Sequence, residues 1–178
     1  MVVAVVLRAW GLGRTNLWFD EVNSWEVVRL SWPAMLANLR LSPVGPLYFV
    51  LLKPWQLVFG DSERALRSLS LVAGVLVVPV TYAIGVRTLS RRAAAWGAVL
   101  VALSPLHLYL SQEARMYMLL TLVAGLTVLA YAHWRDAIAA PSVGGRGAGG
   151  ALVAYALAAA ALLLTNVVAG PLLLALNL

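Results

Sequence analysis

The chain has 178 residues, of which 62% are hydrophobic and only 11% are charged. Soluble domains average about 45–50% apolar and 25% charged residues, so this composition excludes an ordinary soluble domain and predicts a polytopic membrane protein. The absence of cysteine excludes disulfides and cysteine-based metal sites, and the net charge of +6 comes without any nucleic-acid-binding motif, so we expect no nucleic-acid partner.

The N-terminal segment 1–12 is apolar but shorter than the roughly 20 residues that a spanning helix needs. We interpret it as the end of a first transmembrane helix. Arg8 interrupts the apolar run and no cleavage-site pattern follows, which is unlike a signal peptide. Because the chain also stops inside an apolar run, 171–178, we expect it to be a fragment of a longer protein.

An acidic pair, Asp20-Glu21, follows between aromatic residues. Trp18, Val22 and Trp25 recur at the spacing of one helix face, and Asp20 is a favourable N-cap residue. The helix dipole stabilises an ionised carboxylate at this position, and an ionised carboxylate can accept a proton. We therefore take the pair as candidates for a general base; the alternative is a solvated loop with a capping aspartate.

The region 13–67 contains this pair and most of the other acidic residues, and we predict that it is a long loop outside the membrane. Within it, 46–60 is apolar but carries Lys53 and Pro54, and its 15 residues are too few for a comfortable span. We predict an interfacial helix here, with Trp55 and Tyr48 at the level of the lipid headgroups.

Four apolar segments predict transmembrane spans, and residues 171–178 predict the start of a fifth. The fold class expected is therefore all-α, a polytopic transmembrane helical bundle with interfacial helices in its first long external loop. The four predicted spans are 69–86, 93–110, 116–134 and 151–170.

The distribution of arginine predicts the topology, because short loops with excess Lys and Arg face the cytoplasm. Three arginines in 87–92 and two in 135–150 place both loops inside. The link 112–115 and the region 13–67 must then lie outside, on one face. A span at 46–60 would break this pattern, which favours the interfacial interpretation.

A second polar cluster surrounds the external link 112–115. Glu113 and Arg115 are costly at a membrane boundary, so they are expected to pair with each other or with a bound group. The planar fork of Arg115 matches phosphate oxygens. The alternative is an ordinary hairpin turn with its charges in water. His107 lies about one turn inside the boundary, and we expect its side chain to make a structural hydrogen bond.

Four strings of residues resemble glycosyltransferase family 39, the protein-O-mannosyltransferase-like and lipid A aminoarabinose transferase-like membrane enzymes of the GT-C fold. The resemblance runs over about 17–134, and its most specific part is SQEARMY. The strings are WFDE (18–21), PLY (46–48), FGDSERALR (59–67) and SPLHLYLSQEARMYML (104–119).

The resemblance implies an enzyme of the plasma membrane, bacterial by our expectation, that takes a sugar from a polyprenyl-phosphate donor on the outer face and inverts the anomeric centre. It implies Asp20 as catalytic base with Glu21 as the adjoining acid, and Arg115 at the donor phosphate. We place Glu113 beside Arg115 in phosphate binding. The acceptor, whether protein, lipid or glycan, is left open.

Further residues near these strings are candidates for substrate contact, although tryptophan near membranes is more often an interface anchor. The sequence does not decide whether a metal cofactor is needed; Asp20 and Glu21 are hard oxygen ligands suited to Mg²⁺ or Mn²⁺, but two carboxylates alone are not a site. The possible substrate-binding residues are Trp18, Trp25, Tyr48, Gln112, Tyr117 and His107.

Two departures from the family pattern leave alternatives open. Where many relatives have His-Pro-Pro-Leu-Tyr, this chain has Val44-Gly45-Pro46-Leu47-Tyr48, and where many have Thr-His it has Thr165-Asn166. The loss of both histidines leaves open a divergent enzyme or an inactive scaffold. A transporter or lipid-handling protein is the other alternative, although the four predicted spans contain no charged residue.

Overall fold

The structure is a computed structural model that describes residues 1–139, except 41 and 43, and residues 146–178. Within these ranges it is all-helical with no strand, as predicted. The elements are α1 (Val2–Ala9), α2 (Phe19–Arg29), α3 (Trp32–Leu39), α4 (Leu47–Phe59), α5 (Glu63–Thr88), α6 (Arg91–Leu103), α7 (Pro105–Ser111), α8 (Tyr117–Ala139), α9 (Arg146–Thr165), a 3₁₀ turn (Val167–Ala169) and α10 (Gly170–Asn177).

Three of these helices, α5, α8 and α9, are long and apolar enough to cross a membrane. The 26 residues of α5 extend about 39 Å at 1.5 Å per residue, more than the hydrocarbon core of a bilayer. Large apolar side chains such as Trp96, Leu100 and Leu157 are 66–69% exposed, which is favourable only against lipid. The chain is therefore an integral membrane protein.

The predicted span 93–110 is broken in the structure, where α6 and α7 are bent by 55°. Pro105 opens α7 and has no N–H to continue the hydrogen-bond ladder of α6. Ser104 begins the new helix, since its Oγ accepts the N–H of His107 at 3.5 Å. The bend at Pro105 was not predicted, and a membrane crossing by this bent pair as one span stays a prediction.

The carbonyls freed by this break are taken by Arg8. Its Nη2 donates to Val101 O at 3.3 Å, its Nη1 to Ala102 O at 3.1 Å, and its Nε to Ser111 Oγ at 3.1 Å. In transporters, the open carbonyls of broken helices bind ions. Here a fully buried guanidinium occupies them, so the break offers no open ion site.

The predicted external loop is largely helical and packed. Helices α2, α3 and α4 bury Val28, Met35, Leu52 and other apolar side chains in one cluster with residues of α5, α8 and α9. Lys53 of α4 is buried, and its Nζ donates to Val28 O at 2.7 Å at the end of α2. This cation therefore joins two helices rather than facing the headgroups.

Helix α4 has 13 residues and is shorter than a span, and its position along the membrane interface stays a prediction. One part of that prediction is wrong. Tyr48 is fully buried, with its hydroxyl 3.5 Å from Ser70 Oγ, so it is a core residue and not a headgroup anchor. Trp55 is partly exposed and donates from Nε1 to Ser68 Oγ at 2.9 Å.

The two ends of the bundle carry different charged groups. At the C-terminal ends of α5 and α8, Arg87 Nη1 lies 3.0 Å from Asp136 Oδ2, and the two side chains are 40% and 73% exposed. Arg67 and Arg115 lie near the opposite ends of the same two helices. The predicted loop 135–150 is partly helical, because α8 continues to Ala139 and α9 begins at Arg146; residues 140–145 lie outside the described part of the chain.

Candidate active site

The site begins at the first turn of α2. The helix starts at Phe19 with Trp18 as its N-cap, so the prediction of Asp20 as N-cap was wrong by two positions. Glu21 at the third helical position accepts the N–H of Trp18 at 3.3 Å, which satisfies one free donor of the helix end. Both carboxylates thus lie in the first turn, where the helix dipole favours negative charge.

Helix α2 buries both polar and apolar residues. Glu21, Ser24, Val27 and Val28 point into the protein, whereas Trp18 is 45% exposed. The spacing of Trp18, Val22 and Trp25 correctly indicated a helix, and Trp25 packs against the apolar cluster. In the first turn the partners of α2 are charged groups, whereas Val27 and Val28 join the apolar core.

Glu21 is the central residue of a buried network. Its carboxylate receives two parallel hydrogen bonds from Arg67, from Nε to Oε1 at 2.8 Å and from Nη2 to Oε2 at 2.6 Å. Oε1 also accepts the N–H of Ala114 at 2.8 Å. Burial raises the pKa of Glu21, but the hydrogen bonds and charge of Arg67 and the Ala114 N–H outweigh it, and the pKa lies below its ordinary value. The carboxylate is therefore ionised and fully engaged.

Arg67 extends the same network to the chain before α2. Its Nη1 donates to Thr15 O at 2.9 Å and its Nη2 to Asn16 O at 3.1 Å. One guanidinium thereby joins the segment before α2, the first turn of α2 and the start of α5. Sequence reasoning did not single out Arg67; the available signal was two cations, Arg64 and Arg67, in the first turns of a long apolar helix.

Asp20 and Arg115 meet on another side of this network, although they are 95 positions apart. Arg115 Nη2 lies 3.8 Å from Asp20 Oδ2, and Arg115 Nη1 donates to Asp20 O at 3.2 Å and contacts Ser24 Oγ at 3.4 Å. A separation of 3.8 Å is an ion pair but is too long for a direct hydrogen bond. The carboxylate is one-third exposed, so it is open to a ligand.

Some N–H groups of Arg115 make no hydrogen bond among the described residues. Its side chain is 10% exposed, and its Nε is buried with no acceptor among the described residues. The guanidinium carbon lies 6.0 Å from the ring centre of Tyr117, at the limit of a cation–π contact. The Nε is sealed from a ligand, whereas Nη2 makes no hydrogen bond among the described residues and can donate to a bound acceptor.

A separate cavity of about 300 Å³ lies beside the Glu21–Arg67 pair. Neither Asp20 nor Arg115 lines this cavity. The two residues are close, and the prediction that they meet across one external pocket stays a prediction. Of the predicted site residues, the cavity contains Trp18, Gln112 and Glu113 with Glu21. The full lining is Gly11, Leu12, Gly13, Thr15, Asn16, Trp18, Glu21, Arg67, Tyr109, Gln112 and Glu113.

Glu113 lines this cavity and is separated from Arg115 in function. It is only 6% exposed and makes no salt bridge within the described ranges, since Arg67 pairs with Glu21 and Arg115 with Asp20. A free carboxylate repels phosphate, so the structure does not support our placement of Glu113 at the donor phosphate.

The remaining candidates are dispersed. Trp25 Nε1 donates to Asp61 Oδ1 at 3.0 Å, away from the cavity, and Tyr48 is enclosed in the core. Gln112 Nε2 donates to Arg8 O at 3.1 Å and to Trp10 O at 2.8 Å. It therefore connects the link 112–115 to the end of α1. The structural hydrogen bond expected for His107 is absent at Nδ1, which is buried without a partner among the described residues.

The residues present do not form a complete metal site. No group of three or more His, Asp or Glu side chains that could hold an ion occurs in the described part of the chain. Glu21 cannot turn to join Asp20 without leaving Arg67 and Ala114. Binding of Mg²⁺ or Mn²⁺ at this pair stays a prediction.

The two departures from the family pattern are in contact with each other. A Cβ on Gly45 would lie 2.1 Å from Leu164 O and 2.9 Å from Thr165 C, so only glycine allows this approach. Thr165 is fully buried, and Asn166 Oδ1 accepts the N–H of Val168. The loop before α4 therefore packs directly against the end of α9 at the place where both histidines are missing.

Comparison with known proteins gives one match. The family model described as dolichyl-phosphate-mannose-protein mannosyltransferase matches residues 32–174, which include Glu113, Arg115 and Arg67 but begin after Asp20 and Glu21. No curated protein and no solved structure matches the chain.

Proposed function

Because this chain belongs to the dolichyl-phosphate-mannose-protein mannosyltransferase family, a family of membrane glycosyltransferases, we propose that it moves a sugar from a polyprenyl-phosphate donor to a hydroxyl acceptor. In this proposal Asp20 is the base and Arg115 binds the donor phosphate. The transfer takes place at the end of the bundle that holds these two residues, outside the cytoplasm, and inverts the anomeric centre.

The observation that carries the proposal is the Asp20–Arg115 pair itself. A base and a cation that act on the same sugar phosphate must lie no further apart than the length of that group. Here their side chains are 3.8 Å apart. The pair lies where α2 meets the link before α8. The open edge of Asp20 and the Nη2 of Arg115, which makes no hydrogen bond among the described residues, give a ligand both an acceptor and a donor to bind.

The chemistry needs no further acid. The acceptor hydroxyl gives its proton to the Asp20 carboxylate as its oxygen bonds to the anomeric carbon, and the bond from that carbon to the phosphate oxygen breaks. The electron pair of that bond leaves with the polyprenyl phosphate, whose added negative charge Arg115 stabilises. When the Arg115 guanidinium binds a phosphate oxygen, it turns away from Asp20. The Asp20 carboxylate is then free to accept the proton.

Glu21 has a positioning role in this mechanism. Its oxygens accept hydrogen bonds from Arg67, Ala114 and Trp18, so it has no open lone pair directed at a substrate in this arrangement. The bond to the N–H of Ala114 fixes the residue next to Arg115, and the helix fixes Asp20. Glu21 therefore sets the distance between the base and the cation.

The test replaces Asp20 by Asn, which keeps the shape and removes the proton acceptor. Loss of a general base lowers the rate about 10²–10⁴-fold, so transfer of labelled mannose from polyprenyl phosphate in membranes should fall by that factor. Binding of the donor should change little, because Arg115 is retained. The matched control is Glu26→Gln, which removes one charge from an exposed position of the same helix.

A second arm tests the cation. Arg115→Lys keeps the charge but loses the planar fork, so the KM for the donor should rise while Arg91→Lys, at the opposite end of the bundle, leaves it unchanged. Retained transfer in Asp20→Asn would refute the base, and an unchanged donor KM in Arg115→Lys would refute the phosphate contact.

A further inference from the structure

We propose that the cavity beside the Glu21–Arg67 pair binds a neutral sugar ring, and that Glu113 is the residue that selects it by accepting hydrogen bonds from its hydroxyls. The proposal rests on the glycosyl transfer proposed above for the kind of ligand, but it assigns a subsite that Asp20 and Arg115 do not line. Both the donor sugar and a glycan acceptor have this chemistry.

The charge of the cavity favours a neutral ligand over a phosphate. Three ionisable groups with a formal charge at neutral pH line it, namely Glu21, Arg67 and Glu113. Glu21 and Arg67 neutralise each other through two hydrogen bonds, the shorter at 2.6 Å. The carboxylate of Glu113 is left without a counter-ion among the described residues, so the cavity has a net negative charge and disfavours phosphate.

The nearly buried carboxylate of Glu113 needs hydrogen-bond donors. The residue is 6% exposed, and a nearly buried carboxylate without an ion-pair partner is costly. Its oxygens are not sealed from the cavity, since neither is a fully buried atom lacking a hydrogen bond. A ligand that donates O–H groups to these oxygens removes that cost.

The other residues that line the cavity suit a sugar ring. Trp18 offers an exposed ring, Tyr109 a hydroxyl and Asn16 a side-chain amide. Gln112 offers only its amide oxygen, because its Nε2 already donates to two backbone carbonyls. An aromatic face with nearby carboxylate, amide and hydroxyl groups suits a ring that is apolar on one face and edged with hydroxyls. The volume, about 300 Å³, is at the small end of ligand pockets, which run from about 300 to 1,000 Å³, and it suits a single ring better than a polyprenyl chain.

The experiment measures binding of methyl α-mannoside and of mannose 1-phosphate to the detergent-solubilised chain by saturation-transfer NMR. The wild type should bind the neutral glycoside more tightly than the phosphate. In Glu113→Gln the charge-assisted hydrogen bond is lost, so affinity for the glycoside should fall roughly tenfold. Affinity for mannose 1-phosphate should stay equal or rise, because the repelling charge is gone. Glu26→Gln is the control and should change neither.

A general loss of structure would weaken both ligands together, so the opposite response of the two ligands distinguishes selection by Glu113 from a structural role. The KM of Glu113→Gln for donor or for acceptor then identifies which sugar occupies the cavity. Equal binding of the glycoside by wild type and Glu113→Gln, or no binding by the wild type, would overturn the proposal. Either result leaves the Asp20→Asn test of glycosyl transfer unaffected, because that test reads the chemical step.

Discussion

Arg67 and Glu21 form a bidentate pair across 46 positions of the chain, with N–O distances of 2.8 and 2.6 Å and almost no exposure to solvent. The pair connects α5 to the first turn of α2, and Glu21 also accepts the N–H of Ala114 in the link before α8. The first turn of α2 is therefore attached to the ends of two long helices by charged groups, which places Asp20 next to Arg115.

Breaking this pair should destabilise the fold strongly. Arg67→Met leaves a buried carboxylate unpaired, which costs about 3–5 kcal/mol. The double change of Arg67→Met with Glu21→Gln should recover part of that loss, because the uncompensated charge is gone. Thermal unfolding in detergent measures both. The control is Arg87→Met, which breaks an exposed pair worth about 0–1 kcal/mol; equal losses in the two single variants would contradict the role given to burial.

The same carboxylate predicts how stability depends on pH. The pKa of Glu21 is lowered in the folded state relative to the unfolded chain, where a glutamate titrates near about 4.3. A lowered pKa contributes stability above the unfolded value, and that stability is lost as the pH falls through the folded value. The midpoint of thermal unfolding should therefore drop on acidification below about pH 4. Glu21→Gln should show a smaller drop over the same range, and parallel curves would contradict the assignment.

The contact between Gly45 and the end of α9 predicts a site that tolerates no side chain. A Cβ at Gly45 would lie 2.1 Å from the carbonyl oxygen of Leu164, which is backbone and cannot rotate away. Gly45→Ala should therefore lower the free energy of unfolding by an amount typical of overpacking, about 1–3 kcal/mol, and lower the unfolding temperature with it. Gly149→Ala in α9 is the control, because a Cβ there meets nothing within 4 Å and alanine favours the helix. Similar unfolding temperatures for the two variants would show that the loop is not packed against α9.

The topology prediction is tested with single cysteines, since the chain has none of its own. Ser62 and Ser90 are a matched pair of exposed N-cap residues, for α5 and α6, at opposite ends of α5. A cysteine at position 62 should react with a membrane-impermeant reagent in intact cells, and one at position 90 should react only after permeabilisation. The reverse pattern would place Asp20 and Arg115 on the cytoplasmic side and would exclude a donor on the outer face.

The composition and charge pattern of the sequence were sufficient for the class of fold. An apolar run is helical in lipid because every backbone group must be paired within its own segment, so the positions of α5, α8 and α9 could be read directly. The string with Asp20 and the string with Arg115 could be assigned to one end of the bundle from the alternation of loops across the membrane. The arginine-rich loops face the cytoplasm, so the regions between them that contain these two strings must lie on the opposite side. The family match agrees with the strings from residue 32 onward.

The tertiary structure decided which groups actually meet. The roles of Arg67 and Arg8 depend on partners 46 and about 100 positions away, which no local pattern contains. The burial of Tyr48 was misjudged, and the buried face of α2 and the bend at Pro105 were not predicted, because local spacing shows where apolar residues recur but not what they pack against. Likewise Glu113 and Arg115 are two positions apart, yet one lines a cavity and the other pairs with Asp20. Adjacent side chains in a turn diverge, so only the fold determines which ligand each of them can bind.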